Sequence, residues 1–378
     1  MALRRITVLG SGVMGHGIAQ VAATAGYDVA LRDIEQKFLD KAMEKIEWSL
    51  QKMASKGKMA QEEAGAALAR ISPIVDLEEA VSETQMVIEV VPEIMDLKKK
   101  VYAELDRAAA PDVVFASNTS TLPITEIAGA TSRPDKFIGV HFFNPPQLMK
   151  LVEIIPGEST SQDVVRMTKD LVKSLGKEAV TCRRDVPGFI INRLFIPMVH
   201  EACYVMDRAG ATKEEVDSAV KFRMGFPMGI FELADFTGMD VIHKATTEMH
   251  LRDKKVIRPH PRIAELFDAG NLGQKSGEGF YKYSDDKYER VQLSEELADK
   301  CDYTHLAANI ANNAAWLITN GASDESEIER AAVLGLGLKK PLFETARGIG
   351  LGRIASELEA LASEYGEFYR PDPLLAEK

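Results

Sequence analysis

The sequence predicts an α/β chain, with a doubly wound parallel sheet over roughly its first half and helices alone after it. Three features carry this prediction. Short β-branched runs alternate with helix-period segments up to about residue 185. At Asp185-Val186-Pro187-Gly188 the alternation gives way to helical periodicity. The opening, Ile6-Thr7-Val8-Leu9-Gly10-Ser11-Gly12-Val13-Met14-Gly15-His16-Gly17-Ile18-Ala19, has the order strand, glycine turn, helix.

In the spacing G-x-G-x-x-G, Gly10 permits the tight turn, Gly12 lets the backbone approach a pyrophosphate, and Gly15 lets the new helix lie close to the strand. The free N–H groups of the helix that starts near Val13 and Met14 then face the phosphates, so Gly10, Gly12, Val13, Met14 and Gly15 are candidate dinucleotide contacts in a Rossmann unit. The second run, Asp28 to Asp33, follows the closing Gly26 and ends in an acid eighteen positions after Gly15. A carboxylate there accepts both ribose hydroxyls and repels a 2′-phosphate, which points to NAD(H) over NADP(H); neighbouring Arg32 is the residue that pulls the other way.

A helical excursion follows, over about residues 34–70, with Phe38, Ala42, Met43, Ile46, Leu50 and Met53 at apolar spacing. Lys41, Lys45, Ser49, Lys52 and Lys56 form another stripe, either a solvated face or a hold for a polyphosphate substrate handle. Met86–Val91 reads as a buried strand, Ile94–Ala109 as a helix, and Val113–Ser117 as a strand that runs into Asn118-Thr119-Ser120-Thr121. Ligands of doubly wound sheets lie beyond the carboxyl ends of the strands, which is where Glu93 and the 117–121 cluster fall. The cluster also suits a capping turn before a helix begun at Pro123. Two further strands, Phe137–Phe143 and Lys150–Ile155, flank Asn144-Pro145-Pro146, and each holds one ionisable residue amid apolar ones. Burying a lone charge is costly, so His141 and Glu153 are expected to satisfy each other.

The formal net charge of −11 argues against non-specific binding to nucleic acid or anionic membranes and requires local basic groups for any anionic ligand. Cys182, Cys203 and Cys301 are widely spaced, which indicates neither a disulfide framework nor a zinc site; His243 and His250 share helical spacing without a third ligand, so no metal is expected. A reducing cytoplasm fits. Glycines interrupt the apolar run behind Met1-Ala2-Leu3-Arg4-Arg5 too early for a signal peptide, and no run reaches the roughly 18 apolar residues of a membrane span.

These features place the domains at 1–185, 186–285 and 286–378. Phe189–Arg208 is a long helix with Asn192 in its first turns. The last part echoes the one before it: Gly210-Ala211-Thr212, Val216, Ala219, Gly225, Pro227, Phe231-Glu232 and Gly238 recur as Gly321-Ala322-Ser323, Ile328, Ala331, Gly337, Pro341, Phe343-Glu344 and Gly348. The duplication predicts two helical units that cover each other's apolar faces. Gly348-Ile349-Gly350-Leu351-Gly352 is helix-turn material, since no strand precedes it.

Together, G-S-G-V-M-G-H-G-I-A from Gly10, S-N-T-S from Ser117, H-F-F-N-P from His141, K-L-V-E from Lys150, P-G-F-I-I-N-R from Pro187 and G-E-G-F-Y from Gly277 resemble the 3-hydroxyacyl-CoA dehydrogenase family, in order and spacing. The resemblance covers about the first three quarters of the chain. It implies NAD-dependent interconversion of (S)-3-hydroxyacyl-CoA, short-chain such as 3-hydroxybutyryl-CoA, and 3-ketoacyl-CoA. His141 is then the base and Glu153 its partner; Ser120 and Asn192 contact the substrate's C3 oxygen and the nicotinamide region. Gly10, Gly12, Val13, Met14, Gly15, Asp33, Glu93 and Asn118 belong to the NAD site, and Ser49 and Lys56 match positions that touch coenzyme A. Short members of the family dimerise through the helical domain, so the second copy here implies a monomer with an internal pseudo-dimer, a homodimer being the alternative.

Those residue types suit the chemistry. An imidazole with an unperturbed pKa of about 6.5 can take an alcohol proton near neutrality, and a carboxylate on its other nitrogen fixes the tautomer. A dehydrogenase of a free hydroxy acid or sugar acid, resembling gulonate dehydrogenase, is the enzymatic rival, and an NAD(H)-binding protein without turnover is the non-catalytic one.

Overall fold

Parallel strands must be covered on both faces, and the β-branched runs here form the buried centre of an eight-stranded sheet. The computed structural model of the protein describes residues 3–284, 287–289 and 292–376. Two compact units result, Met1–Val186 and Pro187–Lys378. Met1, Ala2 and the domain edge expected at 285/286 lie outside the described residues.

In chain order the first unit holds β1 (Arg5–Leu9), α1 (Val13–Thr24), β2 (Asp28–Arg32), α2 (Gln36–Ser55), α3 (Gln61–Ala69), β3 (Ile71–Ile74), α4 (Leu77–Val81), β4 (Met86–Glu89) and α5 (Met95–Ala108), followed by β5 (Val114–Ser117), α6 (Ile124–Ala128), β6 (Phe137–Phe142), β7 (Leu151–Pro156), α7 (Gln162–Ser174) and β8 (Glu178–Thr181). The strand order is β3-β2-β1-β4-β5-β6-β7-β8. All neighbours are parallel except β6 and β7. The order reverses between β1 and β4, the switch point beyond which a doubly wound sheet leaves its crevice. Ile6, Val8, Val29, Leu31, Met86 and Ile88 fill the core with Ile18, Ala19 and Ala22 of α1.

The differences from the sequence reading have local causes. β4 stops at Glu89, two residues short of the expected Val91, because the Val91 N–H turns to donate to the Glu89 carboxylate (2.7 Å). The edge strands β3 and β8 were not anticipated: β3 contains Pro73 and β8 opens with Glu178, and neither reads as a buried run. The excursion is a hairpin of α2 and α3 with Leu39, Ala42, Ile46 and Leu50 buried, while Phe38, expected on that face, is exposed.

The second unit holds α8 (Ile191–Ala209), α9 (Lys213–Phe222), α10 (Ile230–Thr237), α11 (Met239–Arg252), α12 (Pro261–Asp268), a small hairpin of β9 (Lys282–Ser284) and β10 (Lys287–Glu289), α13 (Glu295–Ala298), α14 (Thr304–Thr319), α15 (Glu325–Leu336), α16 (Leu342–Ile349), α17 (Leu351–Tyr365) and α18 (Pro373–Ala376). The repeat is visible in hydrogen bonding. Asp217 of α9 accepts from the N–H groups of Phe231 and Glu232 at the start of α10, and Glu329 of α15 accepts from Leu342 and Phe343 at the start of α16. Gly238 (φ +101) and Gly350 (φ +102) make the equivalent turns into α11 and α17. The counterpart of Gly238 is therefore Gly350 and not Gly348, which lies inside α16.

α8 and α14 run antiparallel, Arg193 meeting Asn313 and Arg208 meeting His305. The G-E-G-F-Y segment is a clasp: the N–H groups of Phe280 and Tyr281 donate to Asp235, and the Tyr281 hydroxyl donates to Asp217. His200, fully buried on α8, accepts the His260 N–H on Nδ1 (2.9 Å) and pairs Nε2 with Thr246 Oγ1 (2.7 Å). Burial, reinforced by the positive fields of His260, His243 and His250, pushes its pKa down to about 3. The unfolded chain binds this proton near pH 6.5 and the folded chain does not. The stabilisation is therefore complete above about pH 6.5 and is lost as pH falls towards the folded value. The His200 contribution falls between pH 7 and pH 4 by up to a few kcal/mol, at about 1.4 kcal/mol per pKa unit, against the opposite contributions of Glu201 and Asp217, whose carboxyl pKa burial raises to about 7. Urea midpoints of parent and His200→Gln are therefore expected to differ in their change between pH 7 and pH 4 by that amount, the variant losing less or gaining more on acidification; parallel pH profiles would refute the assignment.

Candidate functional site

The glycine turn is shaped by three different constraints. Gly10 has φ +106, and a Cβ there would meet Val90 O at 2.8 Å. A Cβ on Gly15 would lie 1.8 Å from Gly10 O, so α1 can start this close to β1 only without one. Gly12 has nothing within 4 Å of its Cβ position, the open approach that a pyrophosphate needs. Val13 and Met14 open α1 with no side-chain cap on its first N–H groups, and Val13 is exposed. Asp33 is anchored beside the turn: one carboxylate oxygen accepts from Ser11 N (2.7 Å) and Ser11 Oγ (2.6 Å), the other from Ile34 N (2.7 Å). Arg32 donates Nε to Val75 O (3.1 Å) and is thereby engaged towards the sheet edge. These residues fit a dinucleotide with an unphosphorylated ribose.

His16, one turn into α1, pairs Nδ1 with Gly12 O at 2.7 Å. Burial pushes its pKa below the usual histidine value, and the nearby Lys45 ammonium adds to this against the Gly12 bond. The lysine stripe of α2 therefore reaches the first turn of α1.

At the other side of the switch point, antiparallel register sets His141 of β6 opposite Glu153 of β7. Nδ1 and Oε2 are 2.7 Å apart, with both side chains buried. An ionised carboxylate can only accept, so Nδ1 carries the hydrogen and the lone pair resides on Nε2. The strand is held from β5: Asn118 accepts the N–H of Phe142, the residue after His141, on Oδ1 (2.8 Å) and donates its own N–H to Glu89 O (2.9 Å). Glu93 organises the next turn, accepting from Thr119 Oγ1 (2.6 Å), Ser120 N (2.8 Å) and Thr121 N (3.2 Å). Thr119 Oγ1 in turn accepts from Leu122 N. Thr119 thus closes a turn ahead of α6, whose N-cap Pro123 receives no side-chain cap, so the capping role expected of this cluster is not met, while Asn118 and Glu93 tie the loop to its neighbours.

Glu89, Lys98 and Trp48 escaped the sequence reading. Glu89, fully buried at the end of β4, accepts from Lys98 Nζ (2.6 Å) and Ser117 Oγ (2.7 Å) and braces the floor of this loop. The signal was a carboxylate in an apolar run. Ser49 is half-buried and Lys56 exposed at the end of α2. Between them and Lys41, Trp48 stands 61% exposed with the Lys52 ammonium 4.2 Å from its ring centroid. At 100° per residue Lys41, Lys45, Trp48, Ser49, Lys52 and Lys56 share one arc of the helix, which excludes Asp40, Glu44 and Glu47. Asn192 belongs to the second unit, in the first turn of α8. That helix starts at Ile191 because Gly188 and Phe189 take positive φ (+82 and +51), not at Phe189 as the sequence suggested. Elsewhere in that unit His243 stacks on Phe267 and His250 pairs with Val256 O; Cys203 and Cys301 there, and Cys182 in the first unit, are buried thiols.

Comparison with known proteins bears on this site. Residues 5–186 match the model for the NAD-binding domain of 3-hydroxyacyl-CoA dehydrogenase, and residues 188–283 that for its C-terminal domain. The mitochondrial hydroxyacyl-coenzyme A dehydrogenase of Rattus norvegicus is 43% identical over 288 residues, 74% of this chain and 91% of the relative. A probable 3-hydroxybutyryl-CoA dehydrogenase of Bacillus subtilis is 41% identical over 75% of this chain and 99% of its own length. The crystal structure of 3-hydroxybutyryl-CoA dehydrogenase from Escherichia coli superposes with a TM-score of 0.88 at 28% identity, covering 100% of this chain and 98% of that one.

The glycine geometry separates folding from binding. Gly12→Val is expected to leave the melting temperature unchanged while weakening NADH at least about tenfold, near 1.4 kcal/mol, whereas Gly15→Ala should destabilise the fold itself. Fluorescence titration with NADH checks the first, and undiminished affinity would remove the turn from the cofactor site.

Proposed function

The chain belongs to the 3-hydroxyacyl-CoA dehydrogenase family, and from that premise we propose that it oxidises (S)-3-hydroxyacyl-CoA, short-chain such as 3-hydroxybutyryl-CoA, to 3-ketoacyl-CoA and catalyses the reverse reduction. The observation that carries the reading is the buried 2.7 Å pair of His141 and Glu153. Gly10, Gly12, Val13, Met14 and Gly15 hold the pyrophosphate, Asp33 the ribose, and Asn118 and Glu93 the nicotinamide end. Bound NAD supplies the hydride acceptor.

In oxidation, His141 accepts the C3 hydroxyl proton on Nε2 as the C3–H pair leaves as hydride. Glu153 keeps Nδ1 protonated, fixes the ring and stabilises the imidazolium that forms. Ser120 and Asn192 hydrogen-bond the C3 oxygen as its charge changes. In reduction the same imidazolium returns the proton to that oxygen.

The basic arc of α2 favours a CoA thioester over a free hydroxy acid: Ser49 and Lys56 sit on it with Lys45 and Lys52, and Trp48 offers an aromatic face. Short members of the family pair through the helical domain, and here α14 of the second repeat packs along α8 of the first, so the second copy would take the partner's place, which supports a monomer with an internal pseudo-dimer over a homodimer. Among the described residues no helix is long and apolar enough to cross a membrane, and a cytoplasmic location fits the buried thiols.

His141→Gln is expected to bind NADH normally and to reduce acetoacetyl-CoA about 10²–10⁴-fold more slowly; near-native turnover would remove His141 from this role. The handle is checked separately. Trp48→Ala with Lys52→Ala should raise KM for acetoacetyl-CoA several-fold with kcat little changed, and acetoacetate should be a poor substrate for either protein. Equal use of acetoacetate would favour the free-acid dehydrogenase.

A further inference from the structure

The residue after Asn192 is a buried cation that no step above uses. Arg193 is 1% exposed. Its Nη1 donates to Asp253 (2.6 Å), its Nε donates to Asn313 Oδ1 (3.1 Å), and its guanidinium carbon lies 3.8 Å from the centroid of the Trp316 ring. Asp253 closes α11 in the first repeat, whereas Asn313 and Trp316 belong to α14 in the second. The backbone is gripped as well. Arg193 N donates to Gly188 O (3.0 Å) across the left-handed Gly188-Phe189 turn, where a Cβ on Gly188 would meet Met249 Cε at 2.5 Å.

A buried guanidinium is tolerated when its fork is paired and its face is stacked. The first repeat supplies one carboxylate, and the second supplies the other acceptor and the aromatic face. We infer that the second helical repeat is part of the catalytic apparatus: Asn313 and Trp316 lock Arg193 and thereby fix the first turn of α8, which presents Asn192. They are positioning residues, and this rests on the reading of Asn192 as a substrate contact. A displacement of about 1 Å at such a group costs up to about a hundredfold in rate. The loss falls on kcat, because the interaction strengthens as charge develops on the oxygen.

The test uses the full chain with acetoacetyl-CoA and NADH. Trp316→Leu removes the π face and keeps apolar bulk, Trp316→Phe keeps a face, Asn313→Leu removes one acceptor, and Asn192→Ala removes the contact itself. Asn192→Ala is expected to lower kcat sharply. Trp316→Leu should lower kcat about tenfold to a hundredfold with NADH affinity and KM little changed, Trp316→Phe should recover most of that loss, and Asn313→Leu should lower kcat several-fold. If Trp316→Leu does not fold, the Asn313→Leu and Trp316→Phe pair carries the comparison. The inference is overturned if Trp316 and Asn313 variants turn over like the parent while Asn192→Ala is crippled, or if activity falls only in step with the folded fraction. Parental turnover by Asn192→Ala would instead overturn the role given to Asn192, and this inference with it.

Discussion

A histidine and a glutamate buried side by side in a sheet leave little freedom to everything around them. His141 and Glu153 meet because β6 and β7 are antiparallel and in one register; a slip of one residue in either strand would put the two side chains on opposite faces of the sheet. The rest of the first unit serves that register. Asn118 fastens the backbone next to His141 to the end of β5, Glu93 shapes the Ser120 turn, and the Glu89–Lys98–Ser117 network closes the space below. His141 pairs with Glu153 and Lys98 with Glu89, which is the condition for keeping such groups buried.

The second unit obeys the same rule with different groups. In both repeats a carboxylate caps the first turn of the next helix, Asp217 once and Glu329 once, and a glycine of φ near +101 makes the following corner. The repeats are not interchangeable. The Arg193 guanidinium on α8 needs ligands from both, and Glu201, raised to about 7 by burial, is held by Arg208 and the Tyr369 hydroxyl from the end of the chain. The two copies are thus joined through shared polar side chains.

Charge is distributed with equal economy. The protein carries −11 overall, yet one arc of α2 collects four lysines around Trp48 and turns its acids to the other side. Lys45 reaches the field of His16 beside the phosphate turn. On the proposed reading, an anionic cofactor and an anionic thioester handle are received by local positive potential on an acidic molecule.

The sequence by itself determined whatever depends on neighbours a few positions apart: the strand, turn and helix of the glycine motif, the alternation that ends near Pro187, the helical spacing on α2, and the need for His141 and Glu153 to find partners. Edge strands with proline or glutamate, the start of α8 and the true counterpart of Gly238 were not legible, because backbone hydrogen bonds and left-handed glycines placed them against their local composition. Only the tertiary structure decided that Glu89 receives Lys98, that Glu93 organises the Ser120 turn, and that Arg193 is met by Asn313, 120 residues away. The reason is physical: periodicity records which face of an element is buried, but a buried charge is satisfied by whatever the fold brings to it, and that partner leaves no trace in local spacing.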